Sequence, residues 1–431
     1  MSHAALHLLK VLGSHVKTCG ALHYKCPSLY NEVKSFLAHV RLRTAGAGCI
    51  CSQSHFMGHF IMDFLSEKKQ FTPPEGLGTK FAVHEVTRFI VDCLMAAGAS
   101  REVAAAHAEV MVAADVRGHY SHGLQRIDLY VTELRHGVTD GRVTPTIVRE
   151  SASSALVDGN NGFGSVVGNF CMDLAIEKAW KTGIACVCAK GSNHYGIAGW
   201  YSIRAAKQGL IGFSFTNAFP GVLGTRAKKA AFGTNPIAVA APGKNDDNFE
   251  LDMATSVVAS GKVEVAHLKK ESIPLGWLMD ENGKLTSDPS SITGDAILMP
   301  LGGTEEHSGY KGTGLGMMVE VLCGILSGGD YAHNIRDWKT FDRPANLSHC
   351  FIAINPALYA PGFEDRMSDL MDSCRSMEPA DPSKPVLVAG DPERAHSKVV
   401  MDEGGITYHP NQAKQCWQTA KLLSVAPMTP V

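Results

Sequence analysis

Gly183-Ile-Ala-Cys-Val-Cys-Ala-Lys-Gly-Ser-Asn-His-Tyr-Gly196 decides the fold class. Its first half, Gly183 to Ala189, is a short apolar run that reads as a buried strand, with Cys186 and Cys188 on one face. The run from Ala198 to Gln208, stopped by Gly209, reads as a helix. Between them lies a polar loop with a glycine at either end. Loops at the carboxyl ends of strands are where α/β folds present reactive groups, and the glycines let a ligand approach the backbone.

The same alternation extends in both directions. Ala155 to Asp158 reads as a strand and Gly168 to Lys181 as a helix. Leu210 to Phe215, Pro236 to Ala241 and Phe249 to Met253 read as strands, and Thr255 to Ala266 as a helix capped by Thr255 and Ser256. This gives an α/β region of ordinary domain size. Upstream the pattern is helical: Val83 to Ala97, then a helix capped by Ser100 and running to about Val116. A third, from Tyr120 to Arg135, is closed by His136-Gly137. Downstream come a long apolar helix from Gly314 to Leu326, a strand over His349 to Ala353 and a helix over Gly362 to Met377. The expected fold class is therefore α/β in the broad, α+β sense.

Composition excludes several functions. The 431 residues carry 40 Lys and Arg against 42 Asp and Glu, a net charge of −2 that leaves no footprint for nucleic acid or an anionic membrane. No apolar run reaches membrane-spanning length. The 12 cysteines form no pair of CxxC motifs and read as reduced core residues of an intracellular protein. Residues 1–77 stand apart, few in acids before Asp63 and ending in Thr72-Pro-Pro-Glu-Gly-Leu-Gly78. They fit a transit peptide, an extension with no fold of its own, or a mis-assigned gene start.

Four segments carry chemistry. In Arg117-Gly-His-Tyr-Ser-His-Gly-Leu-Gln-Arg-Ile-Asp-Leu-Tyr130, a helix capped by Ser121 would align His122, Arg126 and Tyr130 on one face. Arginine suits a substrate carboxylate and histidine a proton on the neighbouring hydroxyl, although a solvated helix face explains the same spacing. Asn193 and His194 occupy the loop already described. Phe249-Glu-Leu-Asp-Met-Ala-Thr-Ser256 offers a helix start, whose free N–H groups suit an anion or a carboxamide. Pro300-Leu-Gly-Gly303 and Gly309-Tyr-Lys-Gly-Thr-Gly-Leu-Gly316 form a glycine-rich loop in which Lys311 can meet a phosphate or carboxylate.

No glycine run fits the classical dinucleotide fingerprint. Gly162-Phe-Gly-Ser-Val-Val-Gly168 has a residue too many, and Gly312-Thr-Gly-Leu-Gly316 lacks a preceding strand. A different class is a metal-dependent hydrolase or lyase using His119, His122 and His194, but no HExxH or comparable cage is present.

Taken in order, these segments resemble the malate/L-lactate dehydrogenase family of the second type, which is unrelated to the classical malate and lactate enzymes. The resemblance also rests on Val157-Asp-Gly-Asn-Asn-Gly162, Thr216-Asn217, Gly233-Thr-Asn-Pro236 and Glu403-Gly-Gly-Ile-Thr407, and it runs from about residue 80 nearly to the end. It implies a non-Rossmann sheet binding NAD or NADP, flanked by helical segments from both termini, in a homodimer. The implied division is a helical substrate-side segment over 78–150, a cofactor-binding sheet domain over 151–312, and a C-terminal segment over 313–431 packing back on the first.

The resemblance further implies hydride transfer between NAD(P) and a small 2-hydroxy or 2-oxo acid, with no metal. His194 resembles the proton acceptor, with His122 as the other candidate. Ser121, His122, Arg126 and Tyr130 resemble the substrate-facing group. Asn193, Asn217, Ala218, Asp252, Met253, Ala254, Gly302 and Lys311 lie where the cofactor binds. Tyr310 and Thr313 stand where many relatives have His and Tyr, a departure that bears on substrate or cofactor preference. The compartment implied is the cytoplasm, or mitochondria if residues 1–77 act as a transit peptide.

Overall fold

The described part of the chain closes on itself through its two ends. A computed structural model describes residues 78–431 except 294, 295 and 339, so the expectations for residues 1–77 fall outside the described residues. Strand β1 (Thr79–Phe81) leads into helices α1 (Val83–Ala96) and α2 (Arg101–Val116). Ser100 caps α2 as its type predicts, its Oγ accepting from the Val103 amide at 3.3 Å. Helix α3 (Ile127–His136) ends at Gly137, whose φ of 69° is the left-handed stop expected of a C-terminal glycine.

The central layer follows. Strands β2 (Thr146–Glu150), β3 (Ser154–Asp158), β4 (Ile184–Ser192) and β5 (Ile211–Thr216) are joined across α4 (Gly164–Thr182) and α5 (Gly199–Ala206). Next come β6 (Val222–Leu223), β7 (Ala230–Phe232), β8 (Ile237–Ala241), β9 (Phe249–Met253) and α6 (Ser260–Lys269). Short strands β10 (Leu278–Met279), β11 (Leu285–Thr286) and β12 (Ile297–Leu298) precede α7 (Gly309–Glu320), which continues as a π-helical turn over Val321–Ile325. The chain finishes with β13 (Leu347–Ile354), α8 (Phe363–Arg375), α9 (Asp391–Asp402), β14 (Ile406–Tyr408) and α10 (Pro410–Leu423).

Seven strands form the main sheet in the order β2-β3-β4-β13-β5-β8-β9. Only β3 and β4 pair in parallel, across the α4 crossover, and every other neighbour is antiparallel. This mixed sheet is not the all-parallel, doubly wound kind, which accounts for the missing glycine fingerprint. Helices α4 and α5 cover one face over a core that includes Val167, Met172, Tyr201 and Phe351. The α7–π segment lies on the other, over Cys188, Phe215, Cys350 and its own Val319 and Cys323. A five-stranded sheet, β11-β10-β12-β6-β7, packs its own small core with Val263 of α6.

The helical layer is built from both ends of the described chain. Phe89, Leu94, Met111 and Leu124 share one buried cluster with Val400, Ile406, Tyr408 and Cys416, and β1 pairs with β14. Burying a side chain of this size contributes about 1.5–3 kcal/mol, so this shared core is what fixes α1 to α3.

Two helix expectations are corrected. Residues 120–135 do not form one helix: two 3₁₀ turns, Tyr120–His122 and Leu124–Arg126, flank Gly123, whose ψ of −135° is not helical. A Cβ at Gly123 would land on the Asp115 carboxylate, which accepts the Leu124 amide at 2.8 Å. Tertiary bonding overrides local propensity there. Ser121 accordingly caps nothing. The Thr255–Ser256 pair caps nothing either, since both hydroxyls donate to carbonyls: Thr255 to Thr234 at 3.0 Å and Ser256 to Val258 at 2.7 Å. Helix α6 starts only at Ser260, so residues 255–256 provide no helix N-terminus for an anion or carboxamide.

Candidate active site

The loop after β4 and the turns before α3 meet across the boundary between sheet and helical layer. His194 lies two residues beyond the end of β4, and its Nδ1 shares a hydrogen bond with the Tyr130 hydroxyl at 2.7 Å and accepts from the Gly196 amide at 3.4 Å. Tyr130 is buried in α3, wedged edge-on against the His107 ring at 4.2 Å. The ring of His122 lies over that of His194 with centroids 5.6 Å apart, and its own Nδ1 bonds Ser121 Oγ at 2.9 Å. His122, Arg126 and Tyr130 thus converge as expected, although turns rather than one helix face bring them together.

The electrostatics keep the imidazoles neutral. Loss of hydration, reinforced by the Arg126 cation and by His107, pushes His194 down to about 3. His122 is held well below its ordinary range by the same dehydration and by His194. The phenol of Tyr130 is raised by burial and stays protonated. When the His194 Nδ1–H donates to the Tyr130 oxygen, the Nε2 lone pair is left free to take a proton.

Among the described residues, Arg126 is the cation built into this cluster with several partners. Its Nε donates to the Ser121 carbonyl at 2.7 Å and its Nη2 to Glu264 of α6 at 3.2 Å. Its guanidinium lies 4.6 Å from the centre of the Trp338 ring, which stacks in turn on Phe219 at 5.1 Å. A Cβ at Gly261 would fall onto Ser121 and within 3.3 Å of Arg126 Nη2, so α6 seats directly on the Arg126 side of the site. Neither Trp338, Glu264 nor Gly261 is visible in the sequence pattern, because each arrives from a separate part of the chain.

The second group of residues is spread along the sheet edge. Asn193 is buried and donates to Asn161 and Gly162 carbonyls at 3.1 and 2.9 Å, while its Oδ1 has no partner. Asn217 is committed on every side: it donates to Glu320 at 3.2 Å and to the Asp330 carbonyl at 2.9 Å, and it accepts from the Ser348 amide at 2.9 Å. Glu320 also receives Asn235 at 2.9 Å, and Asn235 accepts the Ala218 amide at 3.1 Å. This buried carboxyl, raised chiefly by dehydration, ties the Thr216-Asn217 and Gly233-Thr-Asn-Pro236 motifs together. Its place in the apolar run after Gly314 gave no sign of that.

Asp252 accepts the Gly199 amide at 2.7 Å at the start of α5, and Met253 and Ala254 follow at the end of β9. Gly302 has a φ of +93°, and a Cβ there would meet the Ser308 carbonyl at 2.8 Å. Lys311 stands exposed in the first turn of α7.

The arrangement does not make a histidine metal cage. His119 turns to Glu393, 3.7 Å away, whereas His122 and His194 face Ser121 and Tyr130. Among the described residues, the side chains that converge closely enough to hold an ion are Cys186, Cys188 and Cys350, none of them in this site. His349 also went unforeseen. Buried in β13, it bonds Ser192 Oγ and Thr216 Oγ1, both at 2.7 Å, and lies parallel to Tyr195 at 4.7 Å. It therefore braces β4 just before the His194 loop.

The family described as malate/L-lactate dehydrogenase matches residues 81–416. Malate dehydrogenase from Pyrococcus abyssi is 44% identical over 295 residues, covering 68% of this chain and 81% of that one. L-Sulfolactate dehydrogenase from Methanocaldococcus jannaschii is 37% identical over 308 residues, or 71% and 87% of the two chains. The crystal structure of malate dehydrogenase from Entamoeba histolytica superimposes with a TM-score of 0.77 at 29% identity, covering 81% of this chain and 99% of that one. By the family match this chain belongs to the malate/L-lactate dehydrogenase family.

Proposed function

We propose that this enzyme oxidises malate or a close 2-hydroxy acid reversibly to the 2-oxo acid, with His194 as the base. The observation that carries the reading is the 2.7 Å contact between Tyr130 and His194 Nδ1 beside Arg126. Tyr130 holds the ring, and in the tautomer whose Nδ1–H points to the phenol oxygen, Nε2 accepts the hydroxyl proton in oxidation and returns it in reduction. Arg126 clamps the substrate carboxylate, exchanging its bond to Glu264 for the ligand, while its contact with Trp338 keeps the guanidinium plane in place. His122, held by Ser121, offers a second neutral imidazole to the polar end of the acid.

The cofactor in this reading is NAD or NADP, as in NAD(P)-dependent dehydrogenases generally. Two features fit it: the unpartnered Oδ1 of buried Asn193, which can accept from a carboxamide, and the glycine-lined cradle at Gly302 beside Lys311. Asp252, Met253, Ala254, Asn217 and Ala218 would line the same edge, Asn217 through its backbone because its side chain is fully engaged. A nicotinamide held by these residues would supply the acceptor for the hydride of the substrate carbon.

The division into a helical segment (78–150), a sheet domain (151–312) and a returning segment (313–431) belongs to this proposal, with β13 then crossing back into the sheet. So does a homodimer, supported by the exposed apolar ridge of Met317, Val321, Ile325 and Leu326 along the α7–π segment. No described helix is long and apolar enough to cross a membrane, and all eight described cysteines are free. Both agree with work in the cytoplasm, or in mitochondria if residues 1–77 direct it there. The test is nicotinamide absorbance with NAD and NADP against malate, sulfolactate, ureidoglycolate and lactate. Turnover of at least one acid that disappears in Arg126→Ala is expected. Turnover of none overturns the reading.

A further inference from the structure

Cys186 and Cys188 alternate along β4, and Cys350 on β13 stands directly opposite Cys188 in the antiparallel register, with Ile352 opposite Cys186. All three side chains therefore leave the same face of the sheet, the one covered by the α7–π segment. Their sulfurs lie within 4.8 Å of one another, and Cys186 Sγ approaches Cys350 Sγ to 3.7 Å. Thiolates bound at ~2.3 Å to a common cation sit about 3.8 Å apart, so one edge of the triangle already has the spacing of a metal site.

A second feature points to the same spot. Cys188 Sγ lies 3.7 Å from the Leu322 carbonyl, within the π-helical turn over Val321–Ile325. Such turns are rare and turn up often at functional sites, and this one carries a backbone oxygen to the edge of the thiol cluster. Phe215, Val319 and Cys323 wall the cluster from the inside, while Cys186 is only half-buried and leaves a way in. Hard cations that need several oxygens find a single carbonyl here. Soft, thiophilic ones find three sulfurs.

We propose that Cys186, Cys188 and Cys350 form a binding site for one thiophilic d¹⁰ cation, Zn²⁺ or Cu⁺, separate from the dehydrogenase site. The cation enters as the thiols release protons to solvent, with no change in oxidation state. It joins β4, which leads into the His194 loop, to β13, which carries His349, so it stiffens the sheet beneath that loop.

The test dialyses the reduced full-length chain, without oxygen, against Zn²⁺ and separately against Cu⁺, then counts metal per chain. Cysteines 19, 26, 49 and 51 lie outside the described residues, so the reading is the difference between wild type and Cys350→Ala. Cys186→Ser, at the half-buried corner, serves if Cys350→Ala does not fold by circular dichroism. Loss of one equivalent in either folded variant is expected with at least one of the two ions, together with loss of the thiolate charge-transfer band of Co²⁺-loaded protein. Equal metal content and equal spectra in wild type and folded variants overturn the proposal.

Discussion

At the scale of single residues, the site rests on a neutral imidazole held by a phenol. His194→Ala should lower kcat by about 10²–10⁴-fold while leaving KM within a few-fold, as loss of a general base does. Because dehydration and Arg126 hold His194 near 3, its base form is full throughout the neutral range. The acid limb of kcat/KM should therefore fall well below pH 6.5 in wild type. Tyr130→Phe removes the partner of Nδ1 and should lower kcat without raising KM, which separates positioning from substrate binding. Glu264→Gln makes a converse case. Its carboxylate competes with the substrate's for Arg126 across a part-exposed pair worth about 0.5–1 kcal/mol, so KM should drop roughly two- to five-fold. A rise in KM on that substitution would show that Glu264 orients the arginine instead.

At the scale of elements, strands and their periods were readable and the joints between elements were not. The run from Gly183 to Ala189 gave β4, and Ser100 and Gly137 marked helix ends correctly, because each signal is local. The turns around Gly123 were hidden, since their cause is a carboxylate eight residues earlier that also holds Tyr408 near the far end of the chain at 2.7 Å. His122, Arg126, Tyr130 and His194 were readable as types with spacing. Trp338, Glu264, Glu320 and His349 were not, because an isolated polar or aromatic residue in a loop or apolar run announces no partner. Two predictions belong here. Asp115→Ala strands the buried Leu124 amide and Tyr408 hydroxyl, which should cost about 2–4 kcal/mol and lower the melting temperature. Gly261→Ala pushes α6 off Ser121 and should raise KM with little change in melting temperature, because α6 belongs to the smaller of the two sheet units.

For the molecule as a whole, buried titrating groups set the response to acid. His107 and His349 are both held at about 3 by loss of hydration, so the unfolded chain binds more protons than the folded one below the ordinary histidine range. The stability they contribute is present above pH 6.5 and is lost as pH falls. Asp115 works the other way. Burial raises it to about 7, so its contribution is present in acid and lost as pH rises through 7. His122 and His194 are lowered by the same dehydration, so the lowered imidazoles set the balance near pH 5 and stability is lost on acidification below pH 6.5. Urea midpoints between pH 5 and 7 measure it, and a flat profile would contradict the neutral, buried state of these rings.

In the proposed reading, the same shared core and mixed sheet bring a base, a carboxylate clamp and a cofactor edge together from distant parts of the chain. The most direct test of that claim is steady-state oxidation of malate with NAD and NADP by wild type, His194→Ala and Arg126→Lys, with folding of each variant verified. Turnover in wild type, loss of kcat in His194→Ala and a marked loss of kcat/KM in Arg126→Lys are expected, since lysine cannot reproduce the planar fork. Near wild-type kcat in His194→Ala would contradict it and move the proton to His122.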